Sequence, residues 1–305
     1  MSVVEQDILS TPHVLRQAVA RVEEQGEALA RLLQGEVVFL GTGSSYCVAA
    51  LAAQLYEETR GAPAQGILAS EYRPRKSWAH LAISRTGKTT ELVEAMQRAR
   101  GAGAAVGLIV GDPGSPAERH AATVLPMEFA PEEGVIQTRF ISAAILALRI
   151  LMGGNRSPHD VRSVPDQVER TLADFDPSGY TRFDHVVFLG RRWRYGLALL
   201  GALNLQETAL VVPEGHQTLD YRHGPMASAD ENTLVWCFDS PDDSMSAAVV
   251  DDVRQTGATV YWPDIDPLAS LVQAQLLSVR IAESRGINPD APRHLTRAVV
   301  LPDGK

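Results

Sequence analysis

Residues 82–89, Ala-Ile-Ser-Arg-Thr-Gly-Lys-Thr, combine hydroxyl, glycine and basic groups at a spacing that suits phosphate binding. With alanine accepted at the first glycine position, the segment matches the phosphate loop of nucleotide hydrolases and kinases. Such a site also needs an acidic magnesium ligand after a second apolar strand. Gly111 interrupts the strand before Asp112, and Asp239 lies in the other half of the chain. We therefore expect a phosphate site, with a nucleotide site or a simple capped helix as the alternatives.

This segment offers several groups that could hold an anion. Gly87 lets the backbone approach closely, and a helix that begins near Thr89 would direct free N–H groups and its positive end at the loop. Arg85 and Lys88 could add charge or face solvent. The hydroxyl donors are Ser84, Thr86 and Thr89.

The overall charge argues against a polyanionic partner. The 305 residues carry 28 lysine and arginine residues against 37 aspartate and glutamate residues, a formal net charge of −9. This acidic balance disfavours nucleic acid and anionic membranes, but it permits a small phosphate held locally. The hydrophobic fraction of 45% is ordinary for a soluble globular protein.

Cysteine usage and the apolar segments predict a reduced cytoplasmic protein. Cys47 and Cys237 are too few for a disulfide framework, so we expect two reduced thiols. The N-terminus lacks the apolar centre of a signal peptide. The longest apolar stretch, residues 140–152, is too short to span a bilayer and contains Arg149.

Apolar, β-branched runs alternate with helical patterns along the chain, which is typical of βαβ units around a parallel sheet. Near-continuous apolar runs suit strands that are covered on both faces. Six such runs predict strands, at 36–41, 78–84, 104–110, 185–190, 232–238 and 258–262.

An internal repeat divides the chain into two halves. Residues 37–58 align without a gap with residues 186–207, at an offset of 149, so a strand, a turn and a long helix occur twice. We therefore predict two tandem, doubly wound parallel-sheet subdomains of flavodoxin-like type, at 1–157 and 158–305. The loop at 84–89 corresponds to the acidic segment 239–244, Asp-Ser-Pro-Asp-Asp-Ser, which would repel a phosphate. An anion site is thus expected in the first half only.

Seven short motifs, taken in order, resemble the sugar isomerase (SIS) family, which includes phosphosugar isomerases, deaminases and deglycases and the isomerase half of glucosamine-6-phosphate synthase. The resemblance covers nearly the whole chain, and the ordered set is far more specific than any one motif. The motifs are GTGSSY (41–46), ILASEYRPR (67–75), SRTGKT (84–89), EEGVIQTRF (132–140), GALNLQE (201–207), RHGPM (222–226) and DAPRHLTRAV (290–299).

By position, the resemblance implies a sugar-phosphate substrate, a homodimer with a shared site and no metal or other cofactor. Glu207 takes the place of the general base. His223 takes the place of the histidine associated with ring opening and proton transfer, which the partner subunit often contributes. The implied phosphate-binding residues are Ser84, Arg85, Thr86 and Thr89. The implied sugar-binding residues are Ser44, Ser45, Val135, Gln137 and Arg297.

The chemistry of sugar isomerisation suits such a Glu and His pair. Moving a carbonyl between C1 and C2 needs a base that takes a carbon-bound proton and returns it to the neighbouring carbon. A second group must move protons among the oxygens. A partly buried glutamate with a raised pKa and a histidine near neutrality can do both.

Three departures from the family pattern narrow the function. The chain shows no glutaminase domain with a nucleophilic cysteine, and Asn204 and Arg297 stand where the synthase has lysines. Arginine stays protonated and is a poor Schiff-base nucleophile. We therefore expect a phosphosugar isomerase, deaminase or deglycase. The alternative from another class is a sugar-phosphate sensor that binds without turnover.

Overall fold

The structure is a computed structural model that describes residues 1–153 and 161–302. This part of the chain contains ten α-helices and nine β-strands. The helices are α1 (Val3–Leu9), α2 (Thr11–Gln25), α3 (Glu27–Leu32), α4 (Ser44–Arg60), α5 (Thr90–Gly101), α6 (Arg139–Gly153), α7 (Val164–Asp174), α8 (Arg194–Ala209), α9 (Ser244–Gln255) and α10 (Pro267–Ser284). The strands are β1 (Val37–Gly41), β2 (Ala64–Leu68), β3 (Ala79–Ser84), β4 (Val106–Val110), β5 (Thr123–Pro126), β6 (His185–Gly190), β7 (Glu214–Gln217), β8 (Thr233–Cys237) and β9 (Thr259–Tyr261).

The strands form two separate parallel sheets. The first sheet has the order β2-β1-β3-β4-β5 and the second β7-β6-β8-β9, and every described strand pair is parallel. The first order is the flavodoxin-like one. These sheets confirm the prediction of two tandem doubly wound units. The predicted boundary between residues 157 and 158 lies outside the described residues.

The six predicted strands are all present, and the three that the apolar runs missed are β2, β5 and β7. Each of these lies at an edge of its sheet and is only partly buried. An edge strand has one neighbour and keeps contact with solvent, so its sequence does not need a continuous apolar run. The missed strands therefore lacked the signal that identified the central ones.

A layer of helices between the sheets forms the main core. Val37 and Phe39 of β1 face this layer, as do Val186 and Phe188 of β6, while α4, α6, α8 and α10 supply most of its other side chains. Two smaller cores cover the outer faces, one under α5 and one under α9. Both faces of each central strand are thus buried, which explains the near-continuous apolar runs.

The two repeated helices, α4 and α8, cross closely within this layer. A Cβ added to Gly196 would lie 2.7 Å from the carbonyl oxygen of Cys47 and 2.9 Å from the Cα of Leu51. Cys47 and Gly196 occupy equivalent positions of the repeat, 149 residues apart. The absence of a side chain at Gly196 therefore lets the two halves meet, helix against helix.

A buried ion pair joins the helices of the two halves. Arg149 of α6 donates two hydrogen bonds of 2.7 Å to the two carboxylate oxygens of Asp266, whose carboxylate also caps α10 through the Leu268 N–H. The positive residue in the apolar stretch thus has a partner inside the protein. Among the described residues, no helix is long and apolar enough to cross a membrane.

Replacing Arg149 with methionine should lower the free energy of unfolding by about 3–5 kcal/mol, because the buried Asp266 carboxylate would lose its partner. Urea denaturation would measure the change. Arg31→Met is the matched control, since Arg31 forms an exposed pair with Glu27 within one helix and should matter by less than about 1 kcal/mol. Equal effects of the two substitutions would contradict the assigned role of Arg149.

Candidate active site

A cavity of about 250 Å³ opens at the carboxyl ends of β1 and β3, where ligands bind in open parallel sheets. Seven of the predicted site residues line it, namely Ser44, Arg85, Thr89, Val135, Gln137, Glu207 and Arg297. Its other lining residues are Thr42, Gly43, Glu91, Leu295, Thr296, Ala298 and Val299. Ser45, Ser84, Thr86 and His223 do not line this cavity.

The predicted phosphate loop, residues 84–89, is held by its own hydroxyl groups. The Ser84 hydroxyl accepts a hydrogen bond from the Gly87 N–H at 2.9 Å, and the Thr86 hydroxyl accepts one from the Lys88 N–H at 3.3 Å. Gly87 has a positive φ of 60°, which suits glycine. Both hydroxyl side chains are buried, so in this structure they fix the shape of the loop.

Helix α5 begins directly after this loop. Thr89 is its N-cap residue, and the Thr89 side chain makes no capping hydrogen bond. The N-terminal N–H groups of a helix are well placed to hold an anion. The helix therefore starts where the sequence predicted, with the Thr89 side chain in the wall of the cavity.

Arg85 is buried and links the phosphate loop to a second loop, residues 132–138. Its Nη1 atom lies 3.0 Å from Glu132 Oε2 and donates to the Gly134 carbonyl at 3.1 Å. Its Nη2 atom donates to the carbonyls of Val135 and Arg297, at 2.9 and 3.2 Å. Arg85 Nε has no hydrogen-bond partner among the described residues. Most of the guanidinium thus organises the cavity wall, and Nε remains available to an anion.

Glu132, which the motif comparison left without a role, completes this clamp. Its Oε1 atom accepts hydrogen bonds from the N–H groups of Thr138 and Phe140, at 2.7 and 3.2 Å. The carboxylate thereby caps the start of α6 and holds Arg85 at the same time. The sequence carries no sign of this ion pair, because Glu132 lies 47 residues from its partner Arg85 and looks like any acidic residue in a loop.

Asn204 connects the loop to the helix that carries Glu207. Its side-chain amide donates to the Gln137 carbonyl at 3.3 Å and its oxygen accepts from Gln275 at 3.0 Å. A further hydrogen bond joins Asn204 to Glu207. Gln137 Oε1 is buried without a partner among the described residues, so it can accept a hydroxyl of a ligand. Asn204 therefore positions groups on both sides of the cavity.

The environment of Glu207 raises its pKa from 4.5 to about 7, chiefly because burial disfavours the charged carboxylate. The positive charge of Arg85 and the hydrogen bond from Asn204 oppose this effect. A carboxyl with a pKa near neutrality can both accept and return a proton at physiological pH.

The C-terminal tail, residues 295–301, closes one side of the cavity. The Val299 carbonyl accepts a hydrogen bond from the Thr90 N–H at 3.2 Å, and the Leu301 N–H donates to the Thr90 hydroxyl at 2.9 Å. The Arg297 guanidinium donates to the Glu132 carbonyl. The tail thus lies across the start of α5, next to the place predicted for phosphate.

His223 lies in a different cavity of about 370 Å³, on the second half. The other residues there include Arg191, Arg192 and Asp220. Within one chain, Glu207 and His223 therefore border separate cavities. Among the described residues, no group of three histidine, cysteine, aspartate or glutamate side chains is placed to hold a metal ion.

The second half carries a carboxylate where the first half has the phosphate loop. Asp239, which corresponds to Ser84, accepts hydrogen bonds from the Arg191 N–H, the Thr218 hydroxyl and the Ser246 hydroxyl, at 2.8, 2.6 and 2.8 Å. A carboxylate of the protein thus occupies this position of the second half and is held by three donors from neighbouring segments. That only the first half binds a phosphate stays a prediction.

The repeat also places two equivalent glutamates in opposite halves. Glu207 of the second half lies in the cavity of the first, beside Arg85. Its counterpart Glu58 of the first half lies 4.0 Å from Arg192 of the second and accepts from the Trp193 N–H. Each carboxylate therefore crosses to the other half at the close contact of α4 and α8.

Comparison with known proteins identifies one family. The SIS domain profile matches residues 34–152 and 180–289. The glutamine–fructose-6-phosphate aminotransferases [isomerizing] of Methanothermobacter thermautotrophicus and Mycolicibacterium smegmatis are each 29% identical over 92% and 87% of this chain. These matches cover 53% and 51% of the relatives, so the chain spans about half the length of the curated relatives it matches.

Solved structures agree with this assignment. Glucosamine-6-phosphate deaminase from Thermotoga maritima superposes with a TM-score of 0.83 at 26% identity, over 98% of this chain and 100% of that one. Tagatose-6-phosphate ketose/aldose isomerase from Escherichia coli gives a TM-score of 0.82 at 16% identity, over 99% and 97% of the two chains. The second likeness shows the shared fold alone.

Replacing Glu207 with glutamine should stabilise the protein in a pH-dependent way. Between pH 4.5 and about 7, Glu207 is ionised in the unfolded chain but still largely protonated in the folded one. The free energy of unfolding of the wild type therefore falls as pH rises through this range. We expect a gain of about 1–3 kcal/mol at about pH 8 and little gain near pH 4.5. Urea denaturation at several pH values would measure it.

The matched control for this measurement is Glu94→Gln, since Glu94 is exposed on α5. It should show no such pH dependence. A Glu207→Gln variant whose stability relative to the wild type does not change with pH would contradict the raised pKa.

Proposed function

The chain belongs to the SIS domain family, and on that premise we propose that it is an enzyme acting on a hexose or amino-hexose 6-phosphate by enolisation. The profile match, together with relatives named for such activities, supports membership in the family of phosphosugar isomerases and deaminases. Glu207 is the general base in this proposal. The observation that carries this proposal is the position of Glu207. Its carboxyl, whose pKa is raised to about 7, lies in the wall of the cavity at which α5 begins.

The phosphate is proposed to bind at the start of α5. Thr89 offers a hydroxyl, the helix offers its positive end and Arg85 offers Nε. Ser84 and Thr86 act here by fixing the loop rather than by direct contact, because their hydroxyls bond to its backbone. Binding of the phosphate would require the tail to release or re-form its contacts at Thr90.

The sugar is proposed to extend from that point toward Glu207. Ser44 and Gln137 line the route and can hydrogen-bond its hydroxyls, and Arg297 can balance a developing oxyanion. Ser45 is buried in the first turn of α4, and its N–H donates to the Thr42 carbonyl at 3.0 Å. Val135 contributes an apolar wall to the same side of the cavity.

The proposed reaction moves one proton between adjacent carbons. Glu207 takes the proton bound to C1 or C2, the electron pair forms the enediol, and the same carboxyl returns a proton to the other carbon. Burial raises the pKa of the Glu207 carboxyl to about 7, so the group can both take up and release a proton near neutral pH. Proton movement among the oxygens is assigned to His223 of a second copy of the chain, since Glu207 and His223 border separate cavities within one chain.

Amine transfer from glutamine is not part of the proposal. The synthase lysines are replaced here by Asn204 and Arg297. Asn204 hydrogen-bonds to Gln137, Gln275 and Glu207, which suits a positioning role. The remaining reactions are isomerisation, deamination and removal of a larger amine, and each begins with abstraction of a proton from C1 or C2.

Incubation with fructose 6-phosphate in deuterated water should exchange a carbon-bound proton for deuterium, which NMR would detect. Glu207→Gln should slow the exchange by about 10²–10⁴-fold, because the base is lost. The wild-type rate should rise with pH through about 7, since only the ionised carboxylate accepts a proton. Glu94→Gln, an exposed change of the same type, should leave the rate unaltered.

Two other results would overturn this assignment. Exchange that persists in Glu207→Gln would exclude Glu207 as the base. Thermal stabilisation by sugar phosphates without any exchange, tested with glucosamine 6-phosphate and phosphofructosyl-amines as well, would identify a sugar-phosphate sensor instead.

A mixture of two inactive variants should regain activity if two copies share each site. Dimers that combine one Glu207→Gln chain with one His223→Asn chain hold one intact Glu–His pair. Co-expression at equal levels should restore about a quarter of the wild-type activity, because half of the dimers are mixed and each has one working site. No recovery above the single variants would place both residues in one chain's site, and a His223→Asn variant that is active on its own would exclude His223.

A further inference from the structure

A cavity of about 330 Å³ lies in the second half, where the end of α7 meets β9 and α10. It shares no lining residue with the cavities that Glu207 and His223 border. The volume falls within the range of small-molecule sites, about 300–1,000 Å³. The cavity is lined by Thr171, Asp174, Phe175, Asp176, Tyr180, Tyr261 and Gln273.

Three aromatic rings supply the apolar wall of this cavity. The ring centroid of Tyr261 lies 5.6 Å from that of Phe175 and 5.3 Å from that of Tyr180. All three residues are half-buried and pack against the main core, so part of each remains in contact with solvent. The face of an aromatic ring carries negative electrostatic potential, and such faces attract cations.

The position of Tyr261 is fixed from two sides. Its ring lies on the buried Trp236, with 4.0 Å between the centroids, and its hydroxyl donates to Gln273 Oε1 at 2.7 Å. Gln273 is itself buried, and its Nε2 atom donates to the Thr171 carbonyl near the end of α7 at 2.9 Å. The wall is therefore organised before any ligand binds, which lowers the entropic cost of binding.

Negative charge is concentrated at the rim of the cavity. Asp174 ends α7 and Asp176 follows two residues later, and both are exposed. Asp176 accepts hydrogen bonds of 2.9 Å from the N–H and the hydroxyl of Ser178, which lower the pKa of its carboxyl and keep it ionised. The negative end of the α7 dipole adds to this potential. Among the described residues that line the cavity there is no lysine, arginine or histidine.

We propose that this cavity binds an organic cation, namely a quaternary ammonium or N-methylated amine. The methyl groups of the ligand contact the rings of Phe175, Tyr180 and Tyr261, and its charge faces the carboxylates of Asp174 and Asp176. Such a ligand uses both features of the cavity, because a methylated nitrogen is apolar at its surface and still positively charged. This inference does not rest on the proposed enzymatic function.

Two simpler ligands fit the cavity less well. A bare metal ion prefers several oxygen ligands, and the described residues contain no group of three histidine, cysteine, aspartate or glutamate side chains placed to hold one. A neutral apolar molecule would contact the rings but gain nothing from the two carboxylates. The combination of aromatic faces with acidic groups therefore selects a large, weakly hydrated cation.

The test compares choline with 3,3-dimethylbutanol, which has the same shape but carries carbon in place of the charged nitrogen. Ligand-observed NMR titrations against the full chain give the two dissociation constants. Choline should bind at least about tenfold more tightly, because only the cation is attracted by the rings and the carboxylates. Tyr180→Leu keeps an apolar side chain and should weaken choline binding by about five- to tenfold, with little effect on the neutral compound.

Asp174→Asn should weaken choline binding by about threefold and make it less sensitive to salt. Asp174 is exposed, so this variant decides the case if Tyr180→Leu destabilises the chain. Asp242→Asn is the matched control and should change neither constant, because Asp242 is exposed after β8 and does not line the cavity. Equal affinity for the two compounds, no binding of choline, or choline binding that neither variant of the cavity weakens would overturn the proposed site.

Discussion

The buried ion pair between Arg85 and Glu132 is the interaction on which the site depends. Removing both charges from water is costly, and the pair persists because nearly every polar atom in it has further partners. Through these bonds the end of β3, the loop at 132–138, the start of α6 and the C-terminal tail are held in one arrangement. The cavity is the space that this arrangement encloses, and its shape therefore follows from one guanidinium and one carboxylate.

The same guanidinium also sets the chemistry of the cavity. Burial alone would drive the pKa of Glu207 upward and leave the carboxyl protonated, whereas the positive charge of Arg85 and the amide of Asn204 pull it back toward neutrality. The result is a compromise between desolvation and two local attractions. A structural element that fixes the wall thus also adjusts the acidity of the group within it.

Much of the fold could be predicted from the sequence, because central strands covered on both faces require apolar runs and the repeat showed that they occur twice. The three edge strands escaped because partial exposure removes that requirement. In the site, the start of α5 and the presence of Glu207 could be anticipated. The pairing of Arg85 with Glu132 and the position of the tail could not, since both depend on contacts between residues distant in sequence. The hydroxyls of Ser84 and Thr86 accept hydrogen bonds from Gly87 and Lys88 of their own loop, and their contact with a phosphate stays a prediction.

The crossing of α4 and α8 has a consequence for how this chain can evolve. Because Glu58 and Glu207 each reach into the opposite half, each half supplies a glutamate to the other. Neither half is complete when taken alone. Selection for a working first pocket therefore preserves a residue of the second half without preserving the second pocket itself. Asp239 illustrates that freedom: the second half has a carboxylate where the first half has Ser84, while its Glu207 lies in the cavity of the first half.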